Sequence, residues 1–259
     1  MFYPEYDREV FRNQDLFYLL RAYILYHTGQ VIHPKKISED LKAIFPSCGF
    51  KPSDITIKRY LKQMKDSGEV IFLEREYVKG DSPSQSTSAR MGYMYYLSHP
   101  QETLEEIIGS TEFRQITEYY DPTFEHEPDI KRMLRQTWIC QWLLKQGYDV
   151  KGGIIIFHYQ GEDRKDHKVT VPADFIVKSG DKKTVLMVSS STSLLASHGV
   201  EADVYLLNAV LSIKRYAKIP VQFVTLWDKE PTDETYYKDR WAVEKAEYPI
   251  VSWQDINIP

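Results

Sequence analysis

Only two cysteines, Cys48 and Cys140, occur among the 259 residues. Neither has Cys/His ligand spacing around it, which excludes a zinc module and a disulfide framework and leaves two reduced, structural thiols. Long apolar runs are missing as well. Stretches such as 154–157 and 185–188 fall far short of the roughly 20 residues that span a bilayer, so no membrane association is expected. The opening residues, Met1 to Asp7, carry neither a basic stretch nor an uninterrupted apolar one, so no export signal is expected and the location implied is cytoplasmic. Neither sign of charge dominates: 33 Lys and Arg stand against 37 Asp and Glu, a net charge of -4. Any surface for a polyanion must therefore come from local segregation of charge. Internal repeats and low-complexity runs are absent, and the Ser/Thr cluster at 82–88 reads as a loop tip. The serines at 189–193 lack the glycine spacing of a phosphate loop, and no nucleophile elbow accompanies them.

What is present belongs to a folded chain: 42% hydrophobic, 14% aromatic and 27% charged residues. A disordered chain would be poorer in aromatics. The length suits two domains, each able to bury its own core.

In the first hundred residues, apolar Leu16, Leu19, Leu20, Tyr23 and Ile24 recur at a 3.6-residue period, predicting a helix over 13–27 with Asn13 as its cap and Gly29 as its stop. A second helix is expected after Pro34, with Ile37, Leu41 and Ile44 on one face and Lys36, Glu39, Asp40 and Lys42 elsewhere. A third begins at Ser53, a capping residue, and ends at Gly68. Its stripe of Ile57, Leu61 and Met64 turns Thr56, Arg59, Lys62 and Gln63 away from the core, with Lys58 beside them. That polar, cationic face suits phosphates and base edges in a major groove. A strand over 69–77, a polar loop over 79–90 bounded by Lys79 and Arg90, and a strand over 93–97 follow. From residue 30 to 97 there are eleven Lys/Arg and eight Asp/Glu, 11 - 8 = +3, so positive charge is concentrated here.

Three helices followed by a hairpin with a Lys, Ser and Arg loop resemble the winged helix-turn-helix family, over about residues 14–99. The resemblance implies double-stranded DNA as the partner, with the third helix in the major groove and the loop as a wing beside the backbone. Residues 100–128 read as an ordered connecting segment, with a short helix at 103–108 and Tyr119, Tyr120 and Phe124 docked on a domain.

From residue 129 on, Ile130, Met133, Leu134, Trp138, Trp142 and Leu143 define an amphipathic helix over 129–146, closed by Gly147. Strands are expected at 153–159, 169–177, 184–191 and 220–227, with a helix at 203–217 before the last. In the tail, Trp241, Tyr248, Ile250, Val251 and Trp253 are apolar anchors. This order, with Asp174 near a strand start, resembles the PD-(D/E)xK nuclease superfamily over about residues 130–227. The resemblance implies a restriction-endonuclease-like mixed sheet flanked by helices. It also implies a divalent cation held by Asp174 and an acid-x-lysine on the next strand. That second motif is missing: Val188-Ser189-Ser190 or Met187-Val188-Ser189 stands there, with no carboxylate and no lysine. A site of one carboxylate would bind a hard cation weakly, so the nuclease is read as degenerate unless Glu127, Asp129, Glu201 or Asp203 supplies the second acid. The bland reading of Asp174, a strand-start residue that caps a turn or faces solvent, stays open beside it.

The expected architecture is therefore α+β with two domains, 1–99 and 129–259, joined by 100–128. The arrangement also resembles the replication-relaxation family of mobile-element proteins, which implies replication or transfer proteins as partners. Three functions compete: a DNA-binding regulator or accessory factor without a cofactor, whose second domain dimerises or recruits a partner; a Mg²⁺-dependent endonuclease using Asp174; and a scaffold that binds only protein.

Overall fold

The structure is a computed structural model that describes residues 13–46, 52–79, 93–121, 126–160, 166–189, 221–225 and 250–252. Helix and strand are mixed in it, and the chain forms two compact units. One comprises residues 1–72 and 92–126, the other 73–91 and 127–259.

The first unit is built on α1 (Asn13–Tyr26), whose stripe of Leu16, Leu19, Leu20, Tyr23 and Ile24 is wholly buried. The described part of this helix begins at Asn13, whose side chain lies outside the described residues. Gly29, at φ +77°, adopts the left-handed conformation that only glycine enters freely, and turns the chain into β1 (Val31–Ile32). This two-residue strand is too short to leave a periodic signal. Next comes α2 (Pro34–Ile44), with proline at the helix start, where its missing N–H costs nothing. After α3 (Asp54–Asp66), β2 (Val70–Lys79) and β3 (Tyr93–Leu97) follow. β1 pairs antiparallel with β3, Val31 opposite Met94 and Ile32 opposite Tyr93, and β2 lies on the other side of β3.

The stretch expected to connect two domains is instead part of the first unit. It folds as α4 (Gln101–Ile108) and α5 (Thr111–Tyr120). Ser110 caps α5 by accepting from the Phe113 N–H at 3.1 Å, and Leu104, Phe113 and Ile116 enter the core. Residues 73–91, expected to complete the first domain's hairpin, group with the second unit. There the end of β2 pairs in parallel with β4 (Asp149–Gln160), Arg75 opposite Gly152 through Lys79 opposite Ile156.

The second unit opens with α6 (His126–Lys145), three residues earlier than its apolar period suggests. Pro128, expected as an interruption, sits in its first turn, where an amide N–H has no helical partner to lose. Met133, Leu134, Ile139, Cys140 and Leu143 are buried, and so are two polar residues, Gln136 and Thr137. Burial pushes the Cys140 thiol well up, so it is an inert apolar filler.

β4, β5 (Asp166–Ser179) and β6 (Lys182–Ser189) form an antiparallel meander with a β-bulge between Lys151 and Gly153. β7 (Val221–Thr225) adds in parallel to β6, and β8 (Ile250–Ser252) in parallel to β7. Ile250 and Val251, expected only as anchors in the tail, are thus a strand. The strand order is β2-β4-β5-β6-β7-β8, and Phe175, Ile176, Val177, Val185 and Leu186 are fully buried in its centre. The helix expected over 203–217 lies outside the described residues.

Candidate nucleic-acid interface

α3 is held at both ends and along one side. Ser53 Oγ accepts from the Thr56 N–H at 3.1 Å, satisfying an otherwise orphaned helix donor. At the other end Ser67, Gly68 and Glu69 return their N–H groups to Gln63, Lys65 and Met64, with Gly68 at φ +78°. Ile57, Tyr60, Leu61 and Met64 face the core, none more than 5% exposed. At about 100° per residue these four cover one side of the helix. Lys58, Arg59, Lys62 and Gln63 therefore stand in solvent on the other. Thr56 is only half-buried, and its hydroxyl lies 3.1 Å from Ser53 Oγ.

The cations on this face are lightly committed. Lys58 reaches Asp54 at 3.4 Å, but both side chains are well exposed, so the pair is worth roughly 0–1 kcal/mol and yields easily to a phosphate. The Arg59 guanidinium lies 5.6 Å from the Tyr60 ring centroid, and the residue is exposed. Lys65, at 4.5 Å over the Phe72 ring, ties the helix end to the start of β2. One residue of this face was not anticipated: Ile55, in the first turn, is 73% exposed. Lys79 is the last residue of β2, with its side chain outside the described residues, as is the whole of Arg90.

Behind α3, α2 is fastened by a buried acid. Asp40 was expected on a polar outer face, yet it is only 2% exposed. Its Oδ2 accepts from the Tyr23 hydroxyl at 2.7 Å and from the Tyr120 hydroxyl, and its Oδ1 from Lys36 Nζ at 2.6 Å. Burial alone would raise the Asp40 carboxyl; the hydrogen bonds from Lys36, Tyr120 and Tyr23 outweigh it and hold the group below the usual carboxylate range. Both tyrosines are pushed above the ordinary phenol range, first by burial and then by these bonds. His27 packs edge-on to Tyr120, at 4.8 Å, and burial lowers it below the ordinary imidazole range. One carboxylate thus joins α1, α2 and α5. Ser38 on α2 donates to the Pro52 carbonyl just before α3, which continues the connection to the exposed helix.

In the second unit Asp174 lies on β5, half-buried, and accepts from Gln136 Nε2 of α6 at 2.7 Å. The register places Ile176 opposite Val185, so Asp174, Ile176 and Val185 belong to one face of the sheet by strand alternation. No carboxylate or lysine stands on β6 at the position where an acid-x-lysine would converge with Asp174. Among the described residues no group of three His, Cys, Asp or Glu gathers to hold a metal ion. The side chains of Glu127 and Asp129, and all of Glu201 and Asp203, lie outside the described residues. Among the described residues no helix is long and apolar enough to cross a membrane.

No family model, no curated protein and no solved structure matches this chain.

Proposed function

We propose that the first unit binds double-stranded DNA, with α3 as the element that enters the major groove, in the service of regulation rather than catalysis. The observation that carries this reading is the two-sidedness of α3. Its apolar side is fully committed to the core, while Lys58, Arg59, Lys62 and Gln63 project together from a helix capped at both ends. A 13-residue helix is about 20 Å long, and a major groove about 12 Å wide admits it. The order helix, short strand, helix, helix, strand, strand, with β1 beside β3, supports a winged helix-turn-helix as the scaffold. In this reading the second unit retains a nuclease-like sheet and serves dimerisation or recruitment, including of replication or transfer proteins.

Fluorescence anisotropy of the full chain with random-sequence duplex, across a salt series, tests it. Affinity should fall steeply with salt, and alanine at both Arg59 and Lys62 should reduce the logarithmic salt slope by about one per lost phosphate contact. An absence of binding at low salt would overturn the proposal in favour of a protein scaffold. Cleavage of plasmid DNA in Mg²⁺ that Asp174→Asn abolishes would overturn its non-catalytic part.

A further inference from the structure

We propose that Ile55 reads the 5-methyl group of a thymine, which makes it a specificity-determining residue of the DNA-binding helix. The inference rests on the duplex-binding reading of α3 and extends it from affinity to sequence preference.

Ile55 is the second residue of α3 and 73% exposed. At about 100° per residue it projects from the middle of the outward face, opposite the buried Ile57, Tyr60, Leu61 and Met64. Arg59 stands one turn further on and Lys62 two turns on, on the same side; Lys58 flanks them on one edge, Thr56 and Gln63 on the other. An isolated apolar residue on a surface is ordinary. Here, however, the branched side chain opens an outward row in which Arg59 and Lys62 follow at the next two turns and Asp66 closes the far end, and water would be displaced from its N-terminal part on contact with a polyanion.

The neighbours supply contacts to phosphates and to polar base edges, and Ile55 can donate or accept nothing. The only apolar group that a base pair offers in the major groove is the thymine methyl. The first turn is also the part of such a helix that lies deepest among the bases. An aliphatic side chain there gains by covering a methyl and loses where it faces an unpaired polar edge.

The test uses the full chain and no assumed site. A duplex is first enriched from a randomised pool by binding. Each thymine is then replaced singly by uracil, which removes the methyl and keeps the pairing and the O4 acceptor. The chain should bind about fourfold more weakly at one or two of these positions, the equivalent of one buried methyl. Ile55→Ala should show the same loss on the thymine duplex, no further loss with uracil, and an unchanged salt slope. This non-additivity is the mark of direct contact, and an exposed position gives the variant no reason to unfold. Equal binding of thymine and uracil at every position would overturn the assignment while leaving duplex binding intact. A uracil effect that persists undiminished in Ile55→Ala would overturn it as well, by assigning the methyl to another residue. No enrichment of any duplex, with no binding at low salt, would instead overturn the duplex-binding reading itself.

Discussion

Replacing Asp40 by alanine should be among the most destabilising single changes in the first unit, and the size of the effect follows from its three bonds. The two tyrosine hydroxyls donate to a charged acceptor, and such bonds contribute about 1.5–3 kcal/mol each. Tyr23 is 1% exposed, so water cannot take the carboxylate's place. Some of the loss is recovered because the two hydroxyls, already 3.1 Å apart, can bond to each other. The third bond is different: Lys36 is 59% exposed, so water screens its pair with Asp40 and the pair contributes far less than either tyrosine bond. Asp40→Ala should thus cost about 3–5 kcal/mol and Lys36→Ala only a small fraction of that. For a domain of this size the first corresponds to a fall in thermal midpoint on the order of 20 °C. Because two units can unfold separately, the assay should be local: hydrogen exchange of the amides in α1, α2 and α5, read beside a denaturant titration of the full chain. Protection should drop in all three helices together. Equal costs for Asp40→Ala and Lys36→Ala would refute the reasoning, since the ion pair and not the tyrosine bonds would then carry the energy.

Three further outcomes follow from the same physics. His27 and His99 are both held below the ordinary imidazole range by burial, so the folded state binds fewer protons than the unfolded one. Stability should be complete above about pH 6.5 and decline as pH falls toward the depressed folded-state values, with His27→Gln shrinking the decline in a pH series of denaturant titrations. Asp40 adds to the loss only in stronger acid, below about pH 4, where the unfolded chain protonates this carboxyl more readily than the folded one. Gly68→Ala forces a Cβ into the left-handed region and should cost about 1–2 kcal/mol by thermal melting, although no atom lies within 4 Å of the added Cβ. Mg²⁺ should leave the melting of the full chain unchanged; a stabilisation that Asp174→Asn removes would show a cation bound at that aspartate.

The elements legible in the sequence were those whose apolar residues repeat at their own period. The stripe of α1, the Ser53 cap and Gly68 stop of α3, and the β-branched runs of β4 to β7 are all local signals. α5 carries such a signal too, in Ser110 followed by Phe113, Ile116 and Thr117, but its acidic and aromatic C-terminal end reads as linker. β1 and β8 are too short to show any period, and their existence depends on partners distant in the chain. Asp40 marks the limit most clearly. Its sequence neighbours, Lys36 among them, place it among charged residues of a helix surface, whereas the two tyrosines that bind it are 17 and 80 residues away. Nothing near Asp40 announces them. For the candidate interface, Arg59, Lys62 and Gln63 could be read as outward because their complement, the apolar stripe, was visible. Ile55 was passed over because apolarity is ordinarily taken as inward.

The course of the chain between its two units bears on how the protein can be divided. It passes from one to the other after residue 72, returns at 92 and leaves again after 126. No single cut therefore releases either unit whole. A fragment ending at residue 99 would keep α3 but discard Phe113, Ile116 and Tyr120, leaving Asp40 one donor short and the flank of α1 open to water. A fragment beginning at 129 would lack the strand that pairs with β4. Excision by halves would yield two damaged pieces, and an assay of an isolated N-terminal fragment would report on the injury before it reported on the ligand.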